Sequence, residues 1–519
     1  MVAMKPKRES MFSSVDSGNH HMVRPERAGV AFVGMKGQLR WLLLVVAGAL
    51  ALRLYRIDWQ SALVDENFSL MLADRSFARM IAGIIRDTVH PPLHYIVLWG
   101  WVRLFGFDQM QSRLLSALFG MLSVPMMFLV GRRLLNPRAG LIAALLLAVS
   151  QLAVHHSQEG RMYAMAFLLV LCAVFYFVRT LQDRQMKDWL LFLLFSVLML
   201  YTSYYSSTVL LACAVFVFVR RKEYPLPRRW IVATPVILAL ALLPWLTSGV
   251  VSAFVARGDI NKDPGFMRFE WTRPITSLNW FNSGKWNGIY VQSPWWSIPA
   301  GLLLFTVPAL LGLGPIRRRL HFLREVEQAT GSGLLLILLW VFPMLIVALV
   351  SWSTNTQYDV RYVVYGMAGY LLLVALGFDS LGPATWRGLA LAAAVAYSAG
   401  SLHAVYYIQF KGDYRGASRY VVERFRPGDC LCFMPRGKTT NIPEYWYVHG
   451  RSLVNAPLVS SDRLAQGSYP CSRVWMIWDH AWFRIRPGRA KVIAEFAKNN
   501  DIGDKQKFHD LDVVLYRPR

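Results

Sequence analysis

Long apolar segments recur along the chain and alternate with shorter polar or basic stretches. Most of these segments carry almost no charge, and they approach the roughly 20 residues that a helix needs to cross a bilayer. The pattern therefore predicts a polytopic α-helical membrane protein. The clearest predicted spans are residues 41–57, 112–131, 138–155, 162–179, 231–249, 297–314, 334–352, 361–378 and 387–407.

Two further apolar segments do not have the length of a single span. Residues 189–219 contain no charged side chain, and as one helix they would measure about 46 Å against a hydrocarbon core of about 30 Å. Their polar centre, YTSYYSS at 201–207, offers a place for a turn between two short helices. Residues 91–106 are apolar but short, and Arg103 interrupts them.

The positive charges of the loops orient these segments. Residues 131–138, 220–229 and 317–324 are rich in arginine and lysine, which collect in cytoplasmic loops. These loops and the basic N-terminus share one side only if 91–106 is a helix on the outer membrane surface and 189–219 forms two spans. We therefore expect about eleven spans, with the N-terminus in the cytoplasm and the C-terminus outside it.

Composition divides the chain into three parts. Residues 1–38 are polar and basic, and they are predicted to be a disordered cytoplasmic tail. Residues 39–408 would form the transmembrane domain, with outer loops at 58–111 and 250–296. Residues 409–519 are predicted to form a small extracytoplasmic α/β domain. Its expected helices are 414–425 and 486–499, and its expected strands are 429–435, 472–479 and 511–518.

The composition excludes an ordinary soluble enzyme and does not call for a nucleic-acid partner. The chain is 55% hydrophobic and only 17% charged, with a mean hydropathy of +0.34. Its net charge of +25 is explained by cytoplasmic loops that face anionic membrane lipids, and no nucleic-acid-binding motif occurs. Among the five cysteines, Cys471 has two candidate disulfide partners in an oxidising compartment, Cys430 and Cys432.

Polar residues suited to catalysis concentrate in the predicted outer loops. The adjacent acids Asp65 and Glu66 follow the first span, and they are either solvated loop residues or a catalytic pair. Arg161 and Arg361 stand at the outer boundaries of later spans. Each of these arginines either extends to lipid head groups or binds an anion through charge-assisted hydrogen bonds. Since arginine is uncommon on the outer side, we favour anion binding.

The order of the motifs resembles a known enzyme family. The acidic pair is followed by HPPL at 90–93, SQEGRMYAM at 157–165, LYTSYY at 200–205 and RYVVYGMAGYLL at 361–372. Over roughly residues 40–420 the chain is similar to the bacterial branch of the GT-C glycosyltransferases of family 39. That group comprises polyprenyl-phosphate-sugar-dependent mannosyltransferases and includes the protein O-mannosyltransferases and the lipid A aminoarabinose transferases.

The resemblance carries several implications for fold and function. It implies a GT-C fold, a lipid-linked sugar donor, a catalytic aspartate in the first outer loop, an inverting transfer and a juxtamembrane helix at 91–106. The aminoarabinose branch carries Lys-Pro where this chain has His90-Pro91. His90 therefore has two open roles, since it either binds the donor phosphate or caps a turn before the two prolines.

The chemistry of such a transfer assigns roles to the candidate residues. A polyprenyl phosphate leaves as a stable anion, so the site needs cations to hold it, and one carboxylate suffices for a single displacement, unlike the two of a glycosidase. We expect Asp65 to deprotonate the acceptor and Glu66 to contact the acceptor or the sugar, although the two roles are exchangeable. The predicted substrate-binding residues are His90, Glu159, Arg161, Tyr163, Tyr358, Arg361, Lys411 and Arg415.

Several of these candidates have simpler explanations. Lys411 and Arg415 suit an ordinary basic linker, and Glu159 suits the N-terminus of a helix. His155 and His156 suggest a metal ligand pair, but without a third ligand at a fixed spacing we expect neither a metal nor another cofactor.

These features together predict an enzyme of the bacterial inner membrane. It would move a hexose or pentose from a polyprenyl phosphate to a glycan, lipid or protein acceptor outside the cytoplasm, with membrane lipids around it. The alternative is a polytopic transporter or lipid flippase without transferase activity. Transporters commonly show paired repeats and a binding site at the midplane, whereas this sequence shows no internal repeat and places its charges at one surface.

Overall fold

The computed structural model describes residues 31–87, 90–252, 269–282, 294–313, 332–356, 358–434, 446–460, 463–464, 471–480, 496, 498 and 500–518. The first helices are α1 (Ala31–Leu54), α2 (Val64–Ala73), α3 (Phe77–Asp87), α4 (Leu93–Phe105), α5 (Gln109–Leu134), α6 (Pro137–Val149), α7 (Gln151–Ser157) and α8 (Tyr163–Asp183). They are followed by α9 (Met186–Leu200), α10 (Ser207–Val219), α11 (Arg228–Val250), α12 (Thr272–Phe281), α13 (Ser297–Leu311), α14 (Ser332–Ser353), α15 (Val360–Ser380), α16 (Ala384–Tyr406) and α17 (Tyr414–Arg424). The strands are β1 (Asp429–Met434), β2 (Arg473–Asp479), β3 (Asn500–Phe508) and β4 (Leu511–Pro518).

The chain is a helical membrane protein with several candidate spans. Within the described residues, seven helices are long and apolar enough to cross a bilayer, or eight if the bent pair α6 and α7 forms one span. The segments that we predicted as spans overlap single helices, except that 138–155 falls on the bent pair α6 and α7. The break predicted within 189–219 separates α9 from α10. The predicted total of about eleven is reached only if the shorter helices α9, α10 and α13 also cross.

The first helix begins inside the segment that we assigned to the N-terminal tail. That assignment covered residues 1–38, whereas α1 starts at Ala31, and residues 1–30 lie outside the described part of the chain. The segment 91–106, predicted as a surface helix, contains α4, which begins at Leu93 and ends at Phe105. Arg103, which interrupts this apolar segment, lies over the ring of Trp99 and donates to the main-chain oxygen of Ala73 at 3.0 Å.

The bend between α6 and α7 has a clear physical cause. Ser150 adopts an extended backbone and its hydroxyl accepts a hydrogen bond from Ala153, so it ends one helix and starts the next at an angle of 59°. The interruption frees main-chain oxygens, and the buried Arg53 of α1 donates to those of Ala148 at 3.2 Å and Leu147 at 3.5 Å. Since an unpaired carbonyl is costly inside a membrane protein, Arg53 stabilises the bend.

The C-terminal region forms a mixed four-stranded sheet in the order β1-β2-β4-β3. Strands β1 and β2 are parallel, β2 and β4 are antiparallel, and β4 and β3 are antiparallel. Three of these strands match the predicted ones, whereas β3 was not predicted, and the predicted helix 486–499 falls almost wholly outside the described residues. Cys430 and Cys471 form a disulfide, which decides between the two candidate partners of Cys471.

The C-terminal region packs directly against the first loop of the transmembrane part. Leu63 and Val64, at the start of α2, contact the apolar core of the sheet. The amide of Val448 donates to the side chain of Asn67 at 3.0 Å, and the Tyr447 hydroxyl donates to Asp74 at 2.8 Å. Helix α2 is therefore held at both its start and its end by the C-terminal region.

Candidate active site

Helix α2 places the two adjacent acids in different surroundings. Asp65 and Glu66 lie in its first turn, where negative charge is favoured by the helix dipole. Successive residues of a helix point in directions about 100° apart. As a result the Glu66 side chain is buried, with 1% of its surface exposed, whereas half of the Asp65 side chain is exposed.

Glu66 is fully engaged with protein groups. Arg113 donates to both of its carboxylate oxygens, at 2.8 and 3.0 Å, and Lys411 donates at 2.7 Å. The amide of Gly160 adds a further bond at 3.0 Å. Burial by itself would raise the pKa of Glu66, but the charges of Arg113 and Lys411 outweigh it and lower the pKa. Glu66 is thus a fixed anion that joins three distant segments of the chain.

Asp65 is the acid that remains accessible. One carboxylate oxygen accepts a hydrogen bond from Arg361 at 3.0 Å, and the main-chain oxygen accepts one from Arg161, also at 3.0 Å. Two arginines from distant parts of the sequence therefore converge on one residue of α2. A half-exposed carboxylate at this position is accessible to a substrate hydroxyl and could act as a general base.

Arg161 is a buried cation with spare donor capacity. Its guanidinium donates to the Ser69 hydroxyl at 2.7 Å and to the Tyr95 hydroxyl at 3.5 Å. Its Nε is buried without a hydrogen-bond partner, and no carboxylate of the described residues lies within 4 Å of it. A buried charge normally has a counterion, so this arrangement suits an incoming anion.

Arg361 lies in the first turn of helix α15, beside the same pocket. Asp359 caps that helix by accepting the Arg361 amide at 3.0 Å, and its carboxylate lies 3.3 Å from the Arg361 Nε. The Tyr163 hydroxyl lies within electrostatic reach of Arg361, Arg161 and Asp65. The predicted residues Asp65, Arg161, Tyr163 and Arg361 are therefore brought together.

His90 lies within electrostatic reach of Arg161 and Arg361. Its burial, followed by the charges of Arg161 and Arg361, lowers the pKa of His90 well below its ordinary value. The imidazole is consequently neutral at physiological pH, and it has one N–H group with which to donate to a bound anion.

The other predicted site residues are engaged elsewhere. Lys411 is buried against Glu66, and Arg415 pairs with Asp58 at 2.9 Å. Tyr358 is buried in the helical core. Glu159 does not pair with Arg161 through its side chain, which instead contacts two neighbouring histidines.

Sequence reasoning missed several members of the site. Arg113, Ser69 and Tyr95 were not proposed, although each contacts Glu66 or Arg161. Arg113 carried the same signal as Arg161 and Arg361, since it is an arginine at the boundary of a predicted span. Ser69 and Tyr95 carried no sequence signal, because a serine or tyrosine on an apolar helix is common.

Comparison with known proteins bears on this arrangement. Residues 89–247 match the family model described as dolichyl-phosphate-mannose-protein mannosyltransferase. This match confirms the predicted family resemblance for the segment that carries His90, Arg161 and Tyr163. None of the curated proteins shows significant sequence similarity to the chain.

Solved structures of similar fold cover nearly the whole chain. ArnT from Cupriavidus metallidurans in the apo state is 12% identical with a TM-score of 0.57, and the match covers 92% of this chain and 98% of that one. The same protein bound to undecaprenyl phosphate gives 13% identity and a TM-score of 0.56 with the same coverage. A third similar structure is the archaeal oligosaccharyltransferase AglB from Archaeoglobus fulgidus in complex with an inhibitory peptide and a dolichol-phosphate. It is 12% identical with a TM-score of 0.54, and the match covers 90% of this chain and 73% of that one. The chain shares the fold of these proteins.

Proposed function

We propose that the protein transfers a sugar from a polyprenyl phosphate to an acceptor hydroxyl on the extracytoplasmic side of a bacterial inner membrane. The observation that carries this proposal is the pairing of one accessible carboxylate with two converging arginines. Asp65 is half exposed, whereas Arg161 is buried with an unpartnered Nε in the described part of the chain. This combination provides both a base and a phosphate site.

The reaction is a single displacement with inversion. Asp65 accepts the proton of the acceptor hydroxyl, while the oxygen of that hydroxyl forms a bond to the anomeric carbon of the sugar. The bond from that carbon to the phosphate oxygen breaks on the opposite face, and the polyprenyl phosphate leaves with the electron pair. Because this leaving group is a stable anion, the step needs a general base but no general acid.

The cations of the pocket stabilise the phosphate throughout the reaction. Arg161 and Arg361 can each form charge-assisted hydrogen bonds to phosphate oxygens, and neutral His90 can add a donor. The Asp65–Arg361 pair is partly exposed, and such pairs contribute only about 0–1 kcal/mol. Arg361 can therefore exchange its contact with Asp65 for one with the donor at little energetic cost.

Glu66 has a positioning role in this proposal. Its carboxylate is saturated by Arg113, Lys411 and Gly160, so it has no capacity left for a substrate hydroxyl. By tying α2 to these segments it fixes the direction in which Asp65 points. This arrangement supports Asp65, rather than Glu66, as the base.

The comparisons support the donor class of this proposal. The matching family model is described by a dolichyl-phosphate-mannose donor, and two proteins of the same fold are described with undecaprenyl phosphate and dolichol-phosphate. All three descriptions share a polyprenyl or dolichyl monophosphate. We accordingly propose a lipid-linked monophosphate sugar as donor, and a glycan, lipid or protein as acceptor.

A transfer assay with Asp65→Asn tests the proposal. The purified protein is reconstituted into liposomes with radiolabelled polyprenyl-phosphate hexose or pentose and a membrane extract as the acceptor source. We expect the transfer rate to fall by about 10²- to 10⁴-fold in Asp65→Asn, with binding of polyprenyl phosphate retained. Glu423→Gln, an exposed carboxylate in α17, is the control and should transfer normally. Undiminished transfer in Asp65→Asn would exclude Asp65 as the base, and no transfer by the wild type with either donor would exclude the transferase.

A further inference from the structure

A second cluster of side chains lies next to the candidate active site and takes no part in the proposed reaction. His155, His156 and Glu159 each offer one ligand atom, and these three atoms lie within 4.8 Å of one another. His155 Nε2 is 3.3 Å from one Glu159 oxygen, and His156 Nδ1 is 3.1 Å from the other. Glu159 thus supplies the third ligand whose absence was our reason for expecting no metal.

The backbone holds this cluster in a defined geometry. The two histidines occupy the last turn of α7, and the chain leaves the helix at Gln158, whose amide still bonds to the oxygens of Val154 and His155. The Gln158 side chain donates to the main-chain oxygens of Arg53 at 3.0 Å and Tyr55 at 2.8 Å. Because helix α1 anchors the residue immediately before Glu159, the three side chains converge without a long flexible loop.

We propose that His155, His156 and Glu159 form a binding site for a divalent transition metal, with Zn²⁺ as its preferred ion. Two imidazoles and one carboxylate are a ligand set that Zn²⁺ takes, with further positions open to water. Four ligands at about 2.0–2.2 Å around a tetrahedral ion are separated by roughly 3.3–3.6 Å. The two histidine–glutamate distances of 3.3 and 3.1 Å are close to that separation, and all three ligand atoms lie within 4.8 Å of one another.

The donor atoms favour zinc over the hard divalent ions. Mg²⁺ and Ca²⁺ prefer all-oxygen surroundings, whereas imidazole suits Zn²⁺ and its neighbours. Glu159 contributes a negative charge, and all three side chains are largely sequestered from water. The nearby cation Lys411 is paired with Glu66 at 2.7 Å, which reduces its repulsion of an incoming ion.

The site has a structural consequence that does not depend on the proposed transfer reaction. Glu159 is followed by Gly160, which donates to Glu66, and by Arg161, which contacts Asp65. A metal ion at the cluster would fix the end of α7 relative to this loop. Binding should therefore stabilise the fold, and this effect is measurable without an activity assay.

Metal analysis of tag-free protein tests the inference. The purified protein is dialysed against Zn²⁺ in detergent and its metal content is measured by mass spectrometry, with Co²⁺ absorption in the visible range as a second readout. We expect about one Zn²⁺ per chain and a raised melting temperature in the wild type, and a loss of most of the metal in Glu159→Gln and in His156→Gln. His403→Gln, an exposed histidine at the end of α16, is the control and should keep its metal.

Two outcomes would overturn the inference. The first is a wild-type protein that holds far less than one ion and shows no Co²⁺ absorption. The second is a Glu159→Gln protein that binds as much metal as the wild type, which would place the ion elsewhere. If a variant fails to fold, the stoichiometry and Co²⁺ spectrum of the wild type still decide the question. Neither readout uses transfer activity, so a failed metal site and a failed transferase proposal are distinguishable.

Discussion

The guanidinium group of Arg361 lies 3.0 Å from the Asp65 carboxylate, although 296 residues separate them in the sequence. A second arginine–aspartate pair of the same kind joins Arg415 to Asp58 at 2.9 Å. Both arginines are about one-third exposed. The difference is that the first pair adjoins buried Arg161, which donates to Asp65 itself, so only that pair belongs to the proposed phosphate site.

Arg361→Ala should weaken binding of polyprenyl phosphate without unfolding the protein. Loss of a charge-assisted contact to phosphate removes about 1.5–3 kcal/mol, which corresponds to roughly 10- to 150-fold in Kd. The melting temperature should change little, because an exposed ion pair contributes at most about 1 kcal/mol. Titration of the detergent-solubilised protein with polyprenyl phosphate measures the first effect. Arg415→Ala is the matched variant, and an equal loss of affinity in both would attribute the effect to general electrostatics.

Glu66→Gln should destabilise the protein by about 3–5 kcal/mol, because it leaves Arg113 and Lys411 as buried cations without their shared counterion. Denaturant unfolding in micelles measures this change. The double variant Glu66→Gln with Lys411→Met should lose less unfolding free energy than the sum of the losses in the two single variants, because it also removes one of the unpaired buried charges. A Glu66→Gln protein of unchanged stability but abolished transfer would instead assign the base role to Glu66.

His90 should make the stability of the fold sensitive to mild acid. Its pKa is lowered in the folded state, so the unfolded chain binds a proton at higher pH than the folded one does. The contribution of His90 to the free energy of unfolding is therefore fully present above its ordinary pKa of about 6.5. Below that pH the contribution declines by at most about 1.4 kcal/mol per pH unit. Unfolding at pH 7.5, 6.5 and 5.5 measures this slope. His90→Gln should flatten it, and an identical slope in the variant would contradict the assignment.

Removal of the Cys430–Cys471 disulfide should destabilise the C-terminal sheet. The bridge closes a loop with a sequence separation of 41, and the chain-entropy relation gives about 4 kcal/mol for such a loop. Cys430→Ser should lower the melting temperature, and non-reducing mass spectrometry should find the linked Cys430 and Cys471 peptides in the wild type and in the control but not in this variant. Cys172→Ser, in helix α8, is the control. A bridge between Cys432 and Cys471 in the wild type would contradict the structure.

The membrane part of the fold was predictable because apolar length is a direct physical requirement for a span. The break between α9 and α10 followed from the same requirement, since residues 189–219 are too long for one crossing. Strand β3 was not predictable by pattern, because Asn500–Phe508 carries several charges and alternates poorly. Among the described strands it lies at the edge of the sheet and pairs with β4 alone, which explains this composition.

The sequence predicted which residues group together at the site, but not which of the two adjacent acids is buried and which is exposed. Charge in the loops placed Asp65, Arg161 and Arg361 at one surface, and the structure brings them together. Which of two adjacent acids faces inward depends on Arg113 and Lys411, which lie 47 and 345 residues from Glu66. No local pattern contains that information, so the different surroundings of Asp65 and Glu66 emerge only from the folded chain.

The contact of Lys411 with Glu66 also bears on how this protein can be dissected. A truncation at the end of α16 would remove the partner of a buried anion and the Val448 amide that holds Asn67. In the isolated helical bundle, helix α2 would then lack the contacts that hold it in place. Chimaeras that exchange the C-terminal region should therefore keep the residues around Lys411 native, because this region and helix α2 are packed against each other.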